Sequence, residues 1–189
     1  MRVANAVPAA AKPAVVPKAA IPRLDADAFA ARVATAPPAL AALLTAWQLP
    51  HAEQDLAIAS ACAPTLAPGV ACLRGRSTLD SLLAIGRPVL LHLREGAHAT
   101  WALLLGSDAL RVRLQLGEDI VDVPRVALPA LWNGEYWTIW RAPEDAPAPQ
   151  DVRRFQAAHG LAADGVLGPA TRFALATDGP GPRLRQGLD

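Results

Sequence analysis

Lysine is almost missing from this chain: Lys12 and Lys18 are the only two in 189 residues, and arginine supplies the rest of the positive charge. Eighteen basic residues against seventeen acidic ones leave a net charge of +1. Neutralising a run of phosphates needs a basic surface, so nothing here argues for a nucleic-acid partner. No apolar run reaches the roughly 20 residues of a bilayer-spanning helix, and no membrane span is expected. Histidines number four and cysteines two. Neither cysteine has a further Cys or His at ligand spacing, so no metal site is expected, and no cofactor is called for. What the chain does have is apolar material, 52% of its residues, although much of it is alanine, which buries little area.

Cys62 and Cys72 bracket ACAPTLAPGVACL. A local disulfide is the favoured reading. Closing a ring of this size adds about 2–3 kcal/mol on the chain-entropy account, and the bond persists only in an oxidising compartment such as the periplasm. A reactive thiol and two buried free thiols are the alternatives. The opening MRVANAVPAAAKPAVVPKAAIPRL carries prolines at 8, 13, 17 and 22 and no apolar core of a secretory signal. It reads as an extended linker, assigned to residues 1–37. If the protein works outside the cytoplasm, a segment upstream must carry it there.

Beyond the linker the periodicity organises a domain over residues 38–141. Leu40, Leu43, Leu44 and Trp47 fall on one helical face, with Pro37 and Pro38 at the start and Pro50 as the stop. A second helix is predicted over 53–61. STLDSLLAIG reads as a short helix capped by Ser77 or Thr78, with Leu79, Leu82 and Leu83 on one face. RPVLLHLRE reads as a central strand because both its faces are apolar, and TWALLLG as another strand closed by Gly106. ALRVRLQLGED alternates strictly, Leu110, Val112, Leu114 and Leu116 against Arg111, Arg113 and Gln115, which predicts a half-exposed antiparallel strand. Residues 120–123 form its return, 125–132 a helix stopped at Asn133 and Gly134, and EYWTIWRAP a strand closing the sheet. The class is α+β. APEDAPAPQ, residues 142–150, is a second linker before a terminal unit over 151–189.

That unit, DVRRFQAAHGLAADGVLGPATRFALA, is densely punctuated. Val152, Phe155 and Gln156 share a helical face that ends at Gly160. Asp164-Gly165 and Gly168-Pro169 are turn dipeptides, and a further helix opens near Pro169 or Thr171, burying Phe173 or Leu175. The order FQ, GL, DG, GP, T closely resembles the second half of the peptidoglycan-binding repeat. Upstream, LAALLTAWQLP, a Cys-bracketed loop, CLRGRSTLDSLLAIGRPVLLHL, TWALLLG and LWNGEYWTIWRAP together resemble the periplasmic region of general secretion pathway protein A. The resemblance covers residues 38–189.

It implies a papain-like or bacteriocin-processing-peptidase-like domain with an antiparallel sheet, followed by a small helical peptidoglycan-binding motif. It further implies a periplasmic fragment of an inner-membrane-anchored protein that helps seat the secretin of type II secretion. Peptidoglycan, the secretin and general secretion pathway protein B are the implied partners. The wall contacts expected are Phe155, Gln156, His159, the loop 164–168 with Asp164, Gly165 and Gly168, and Thr171 and Arg172, the arginine suiting a carboxylate. The usual repeat has an earlier helix that is missing here. A unit this small rarely builds a core alone, so Val152, Phe155, Leu161, Val166, Phe173 and Leu175 either pack on the larger domain or form a marginal hairpin.

A papain-like peptidase needs a thiolate at a helix N-terminus and a histidine facing it. By resemblance the nucleophile belongs among Ala34, Thr35, Ala36 and Pro37, none a cysteine. The base belongs near Thr100, with His98 two residues earlier. No catalytic residue is therefore assigned, and a peptidase-like fold without the peptidase is the expectation. A displaced Cys62–His98 pair, a wall-targeted hydrolase and a protein–protein adaptor with a decayed wall motif are the rivals. His92 reads as a satisfied strand residue, His51 as a loop residue, and His159 as a helix-end cap or glycan donor. Trp132, Tyr136, Trp137 and Trp140 read as core rather than a sugar-stacking platform.

Overall fold

The computed structural model describes residues 20–62, 67–141 and 149–188. The prolines at 8, 13 and 17 and most of the 142–150 linker lie outside them. Three helices come first: α1 Ala26–Val33, α2 Leu40–Ala46 and α3 Glu53–Ser60. Then follow β1 Val70–Arg76, α4 Leu79–Ile85, β2 Val89–Glu95, β3 His98–Ser107, β4 Arg111–Leu116, β5 Asp119–Pro124, α5 Leu128–Leu131 and β6 Trp132–Arg141. The chain closes with α6 Val152–Ala158, α7 Pro169–Leu175 and a two-residue β7, Arg185–Gln186. Among the described residues no helix is long and apolar enough to cross a membrane.

The strands form one sheet in the order β1-β6-β2-β3-β4-β5, antiparallel along its whole path. The α+β class and the central place of β2 agree with the sequence analysis. Leu90, Leu91 and Leu93 of β2 are all fully buried, as an interior strand covered on both faces requires. Thr78 accepts a hydrogen bond from the Ser81 N–H to cap α4, and Gly86 ends that helix in the left-handed region.

Several expectations are corrected. Residues 20–37 are not free linker. Asp25 caps α1 through the Ala28 N–H, and Phe29 and Val33 are fully buried. Residues 22–24 run along the outer edge of β5, where the Asp122 N–H donates to the Pro22 carbonyl and the Leu24 N–H to that of Asp122. β6 does not close the sheet, because β1, which VACLRGR hides for want of alternation, lies outside it. The helix over 125–132 is cut to a single 3₁₀ turn and α5. The strand begins at Trp132, and Gly134 sits inside it with φ +92°.

β4 is not half-exposed either. Arg113 is 5% exposed, pairs with the buried Asp122 of β5 and also donates to the Leu188 carbonyl, whereas Leu110 is 77% exposed in the preceding turn. A buried charge persists when an opposite charge and hydrogen bonds saturate it.

The terminal unit is docked, as one of the two expected outcomes had it. Phe173 is fully buried between Trp140 and Tyr136, with ring centroids 5.0 and 6.5 Å away. Burying a side chain of that size contributes about 2–3 kcal/mol. Ala174, Ala176, Leu184 and Leu188 are buried with it, while Val166 is exposed. Arg87, wholly buried between α4 and β2, donates to the carbonyls of Ala176, Thr177, Gly179 and Pro182. β7 lies parallel to the end of β3 at Gly106 and Ser107. A Cβ at position 106 would stand 2.6 Å from the Arg185 carbonyl oxygen, so only glycine admits this approach.

Candidate functional site

Two regions were singled out from the sequence: the terminal motif and the place where a peptidase would carry its nucleophile. In the motif, Asp151 caps α6 through the Arg154 N–H. The helix presents Gln156 inward, 2% exposed. Its Oε1 accepts from the Gly165 N–H at 2.8 Å. Its Nε2 lies 2.7 Å from Asp164 Oδ1, 2.9 Å from the Val166 carbonyl and 3.0 Å from Thr171 Oγ1. Asp164 Oδ1 also accepts from the Val166 N–H at 2.8 Å. That bond and the Gln156 amide hold the Asp164 carboxyl below the ordinary aspartate range. One buried amide thus fixes both sides of the loop.

The expected contacts therefore divide. Gln156 and Thr171, 2% and 3% exposed, face the interior and shape the loop. Phe155 is half-buried, its ring 4.1 Å from that of His159, whose Nδ1 lies 2.9 Å from the Phe155 carbonyl. Histidine here caps the end of α6. Asp164, Gly165 and Arg172 are exposed, and Arg172 Nε donates to the Leu167 carbonyl. Gly165 takes φ +80°, as a turn dipeptide predicts, but Gly168 is extended at φ −73° and precedes α7.

Opposite the loop runs β1. Residues 73–78 on one side, and Gly160, Leu161, Ala162, Asp164, Val166 and the start of α7 on the other, enclose a cleft of ≈ 620 Å³. Tyr136 also lines it. Sequence reasoning missed this wall because it missed β1, and it assigned Tyr136 to the core on its aromatic neighbours.

At the peptidase position, α2 begins after Ala39, whose N–H donates to the Trp101 carbonyl. The β2–β3 register is regular from His98 to Leu104, so His98 and Thr100 share a face. His98 Nε2 lies 3.2 Å from the Ala36 carbonyl. The imidazole thus reaches the segment where a nucleophile would stand and meets alanine. Cys62 and Cys72 lie elsewhere, at the end of α3 and in β1, joined as a disulfide with Cα atoms 5.3 Å apart. The chain has no other cysteine.

The remaining residues are accounted for. His92 stacks on Trp101, centroids 4.5 Å apart, and its Nδ1 is 3.1 Å from Glu135. The His92 hydrogen bond holds the Glu135 carboxyl below its usual range. His51 Nδ1 lies 3.3 Å from the Leu49 carbonyl. Trp132, Tyr136, Trp137 and Trp140 are all buried. Among the described residues no group of three or more His, Cys, Asp or Glu side chains is placed to hold a metal.

Comparison with known proteins follows the same division. The family model for the GspA peptidase C39-like domain matches residues 39–142, and that for a putative peptidoglycan-binding domain matches residues 150–175. A periplasmic domain of the EpsAB fusion protein of the Vibrio vulnificus type II secretion system shares the fold. The similarity spans 79% of this chain and 81% of that one, at 21% identity and a TM-score of 0.54. The N-terminal peptidase C39-like domain of a toxin secretion ATP-binding protein from Vibrio parahaemolyticus aligns over 41% and 69%, at 18% identity and a TM-score of 0.33. No curated protein matches the chain.

Proposed function

The chain belongs to the GspA peptidase C39-like family, and on that premise we propose that it is a non-catalytic periplasmic module that binds peptidoglycan and helps position a type II secretion assembly. The observation that carries the reading is the loop 162–168. It is held from beneath by the buried Gln156, open to solvent above, and set in a segment that matches the peptidoglycan-binding model. The contacts proposed are Asp164, Gly165, Arg172 and the exposed edge of His159, with Gln156 and Thr171 acting through the loop they shape. The division into a larger domain, extended back to include the packed segment 20–37, and a terminal unit over 151–189 is carried as part of the proposal. So are anchoring to the inner membrane through a longer protein and engagement of the secretin and general secretion pathway protein B. The Cys62–Cys72 bond supports an oxidising compartment.

Co-sedimentation with purified sacculi tests the binding. The full chain is expected in the pellet, and Arg172→Ala is expected to lower the bound fraction. A chain that stays in the supernatant would reject the reading.

Support for the absence of thiol catalysis is chemical. Both sulfurs are held in one bond, and the residue met by His98 is Ala36. Iodoacetamide is expected to label neither cysteine in the native protein and both after reduction. Labelling of one thiol without reductant would restore the peptidase reading.

A further inference from the structure

β1 is, among the described residues, the last strand of the sheet on its side and pairs only with β6. Among the described residues, nothing outside β6 hydrogen-bonds to the backbone of residues 71–76. A sheet edge in that state is a template for another extended chain. Residues 73–76 of this strand line the cleft whose other wall is the terminal motif.

The cleft also holds an unused polar group. Tyr136 is 4% exposed, and its hydroxyl makes no hydrogen bond to any described residue. The hydroxyl is not sealed in the core, since the fully enclosed polar atoms without partners are those of Trp47, Thr100, Arg111 and Trp140. Burial pushes it up to about 12, so it stays a neutral donor and acceptor at working pH. Position 75, which faces the Tyr136 ring, carries no side chain to cover it.

Charge of both signs lines the same walls. Asp164 uses Oδ1 for its bonds to Gln156 and Val166, and its own backbone N–H and the charge of nearby Arg153 also act on the carboxylate, which stays exposed to the cleft. Arg76 is exposed and makes no hydrogen bond to them either, though Glu135 feels its charge.

We infer that this cleft takes the peptide stem of peptidoglycan, laid along β1 as an added strand, rather than the glycan alone. The inference rests on the peptidoglycan reading above and refines it. An extended stem presents amide donors and acceptors that a strand edge can pair with. Its free carboxylates suit Arg76 and its free amine suits Asp164. The volume falls within the range of small-ligand clefts. A glycan-first site would need an open tryptophan face, and none of the tryptophans offers one. Trp101 lies under His92 and Arg74, and the other four tryptophans are buried.

Calorimetric titration of the full chain with two soluble probes, a disaccharide–tetrapeptide and the same disaccharide stripped of its peptide, tests the assignment. The peptide-bearing fragment is expected to bind, and the bare sugar about tenfold more weakly or not at all. Tyr136→Phe, which keeps the ring, is expected to weaken the peptide-bearing fragment about three- to tenfold, the effect of one hydrogen bond. Arg76→Gln, at an exposed position with no hydrogen bond to the described residues, should weaken it similarly while leaving the unfolding midpoint unchanged. Equal binding of the two probes, indifference to both substitutions, or equally tight binding of an unrelated extended peptide would overturn the stem-peptide site. Each of these leaves sacculus binding intact, whereas failure to pellet with sacculi removes the reading beneath it.

Discussion

Replacing Arg87 by methionine is expected to lower the unfolding free energy by about 3–5 kcal/mol, the cost of leaving several buried polar groups without their charged partner. The side chain is wholly buried. Its Nε and Nη2 both reach the Ala176 carbonyl, at 3.0 and 2.5 Å, and Nη1 reaches that of Pro182 at 2.9 Å. Further bonds go to Thr177 and Gly179, and the guanidinium lies 5.7 Å from the Trp47 ring. Methionine fills part of the volume and donates nothing. Those carbonyls belong to the turn after α7, so the loss falls on the join between the terminal unit and the sheet. Urea denaturation followed by tryptophan fluorescence measures the change. Limited proteolysis is expected to cut after α7 earlier in the variant than in the wild type. An unchanged midpoint would show that apolar packing around Phe173 holds the unit by itself.

A comparable loss is expected from Asp122→Ala. Arg113 Nε and Nη2 donate to the two oxygens of Asp122 at 2.6 and 2.8 Å, and these bonds raise the guanidinium's hold on its proton above the ordinary arginine value. Taking away the acid strands a buried cation, which costs about 3–5 kcal/mol. The companion experiment separates that penalty from the worth of the pair. Arg113→Met combined with Asp122→Leu is expected to recover about 2–3 kcal/mol, because an apolar pair of similar volume is often as stable as a buried ion pair. It will not recover everything, since the Leu188 carbonyl then lacks its donor. A double variant no better than the single one would show that the pair itself contributes the stability.

What the chain discloses before folding depends on whether the signal is local. Leu40, Leu43, Leu44 and Trp47 share one face within two turns, and α2 follows from that spacing. Thr78 and Gly86 are a cap and a stop that need no distant partner. α1 escapes because Phe29 and Val33 are its only large apolar residues, and the Ala- and Pro-rich stretches on either side drown them. β1 escapes because VACLRGR does not alternate and its short apolar start, VACL, gives way at once to Arg-Gly-Arg, while the cover it receives from α7 arrives about a hundred residues later. Arg113 reads as solvent-facing by strand parity, and only the cross-strand presence of Asp122 reverses that.

The site follows the same rule. Turn chemistry at Asp164, Gly165 and the GP step located the loop, since each dipeptide constrains its own backbone. The direction of Gln156 was not legible. A glutamine at that position can face a ligand or the interior, and what decides is the ring of acceptors supplied by Asp164, Val166 and Thr171. Tyr136 was placed among core aromatics for the converse reason. Its ring is core, while its hydroxyl reaches a cleft whose far wall belongs to another part of the chain.

Because α7 and β7 are built into the sheet, the terminal unit is not a tether with slack in it. A load applied at the loop 162–168 passes through α7 to Tyr136 and Trp140, and through the stretch after it to Arg87 and the end of β3. These attachments lie along different elements, β6, the arginine ahead of β2 and the end of β3. The loop is thus joined to the body of the protein at several places at once, as by a rivet rather than a leash.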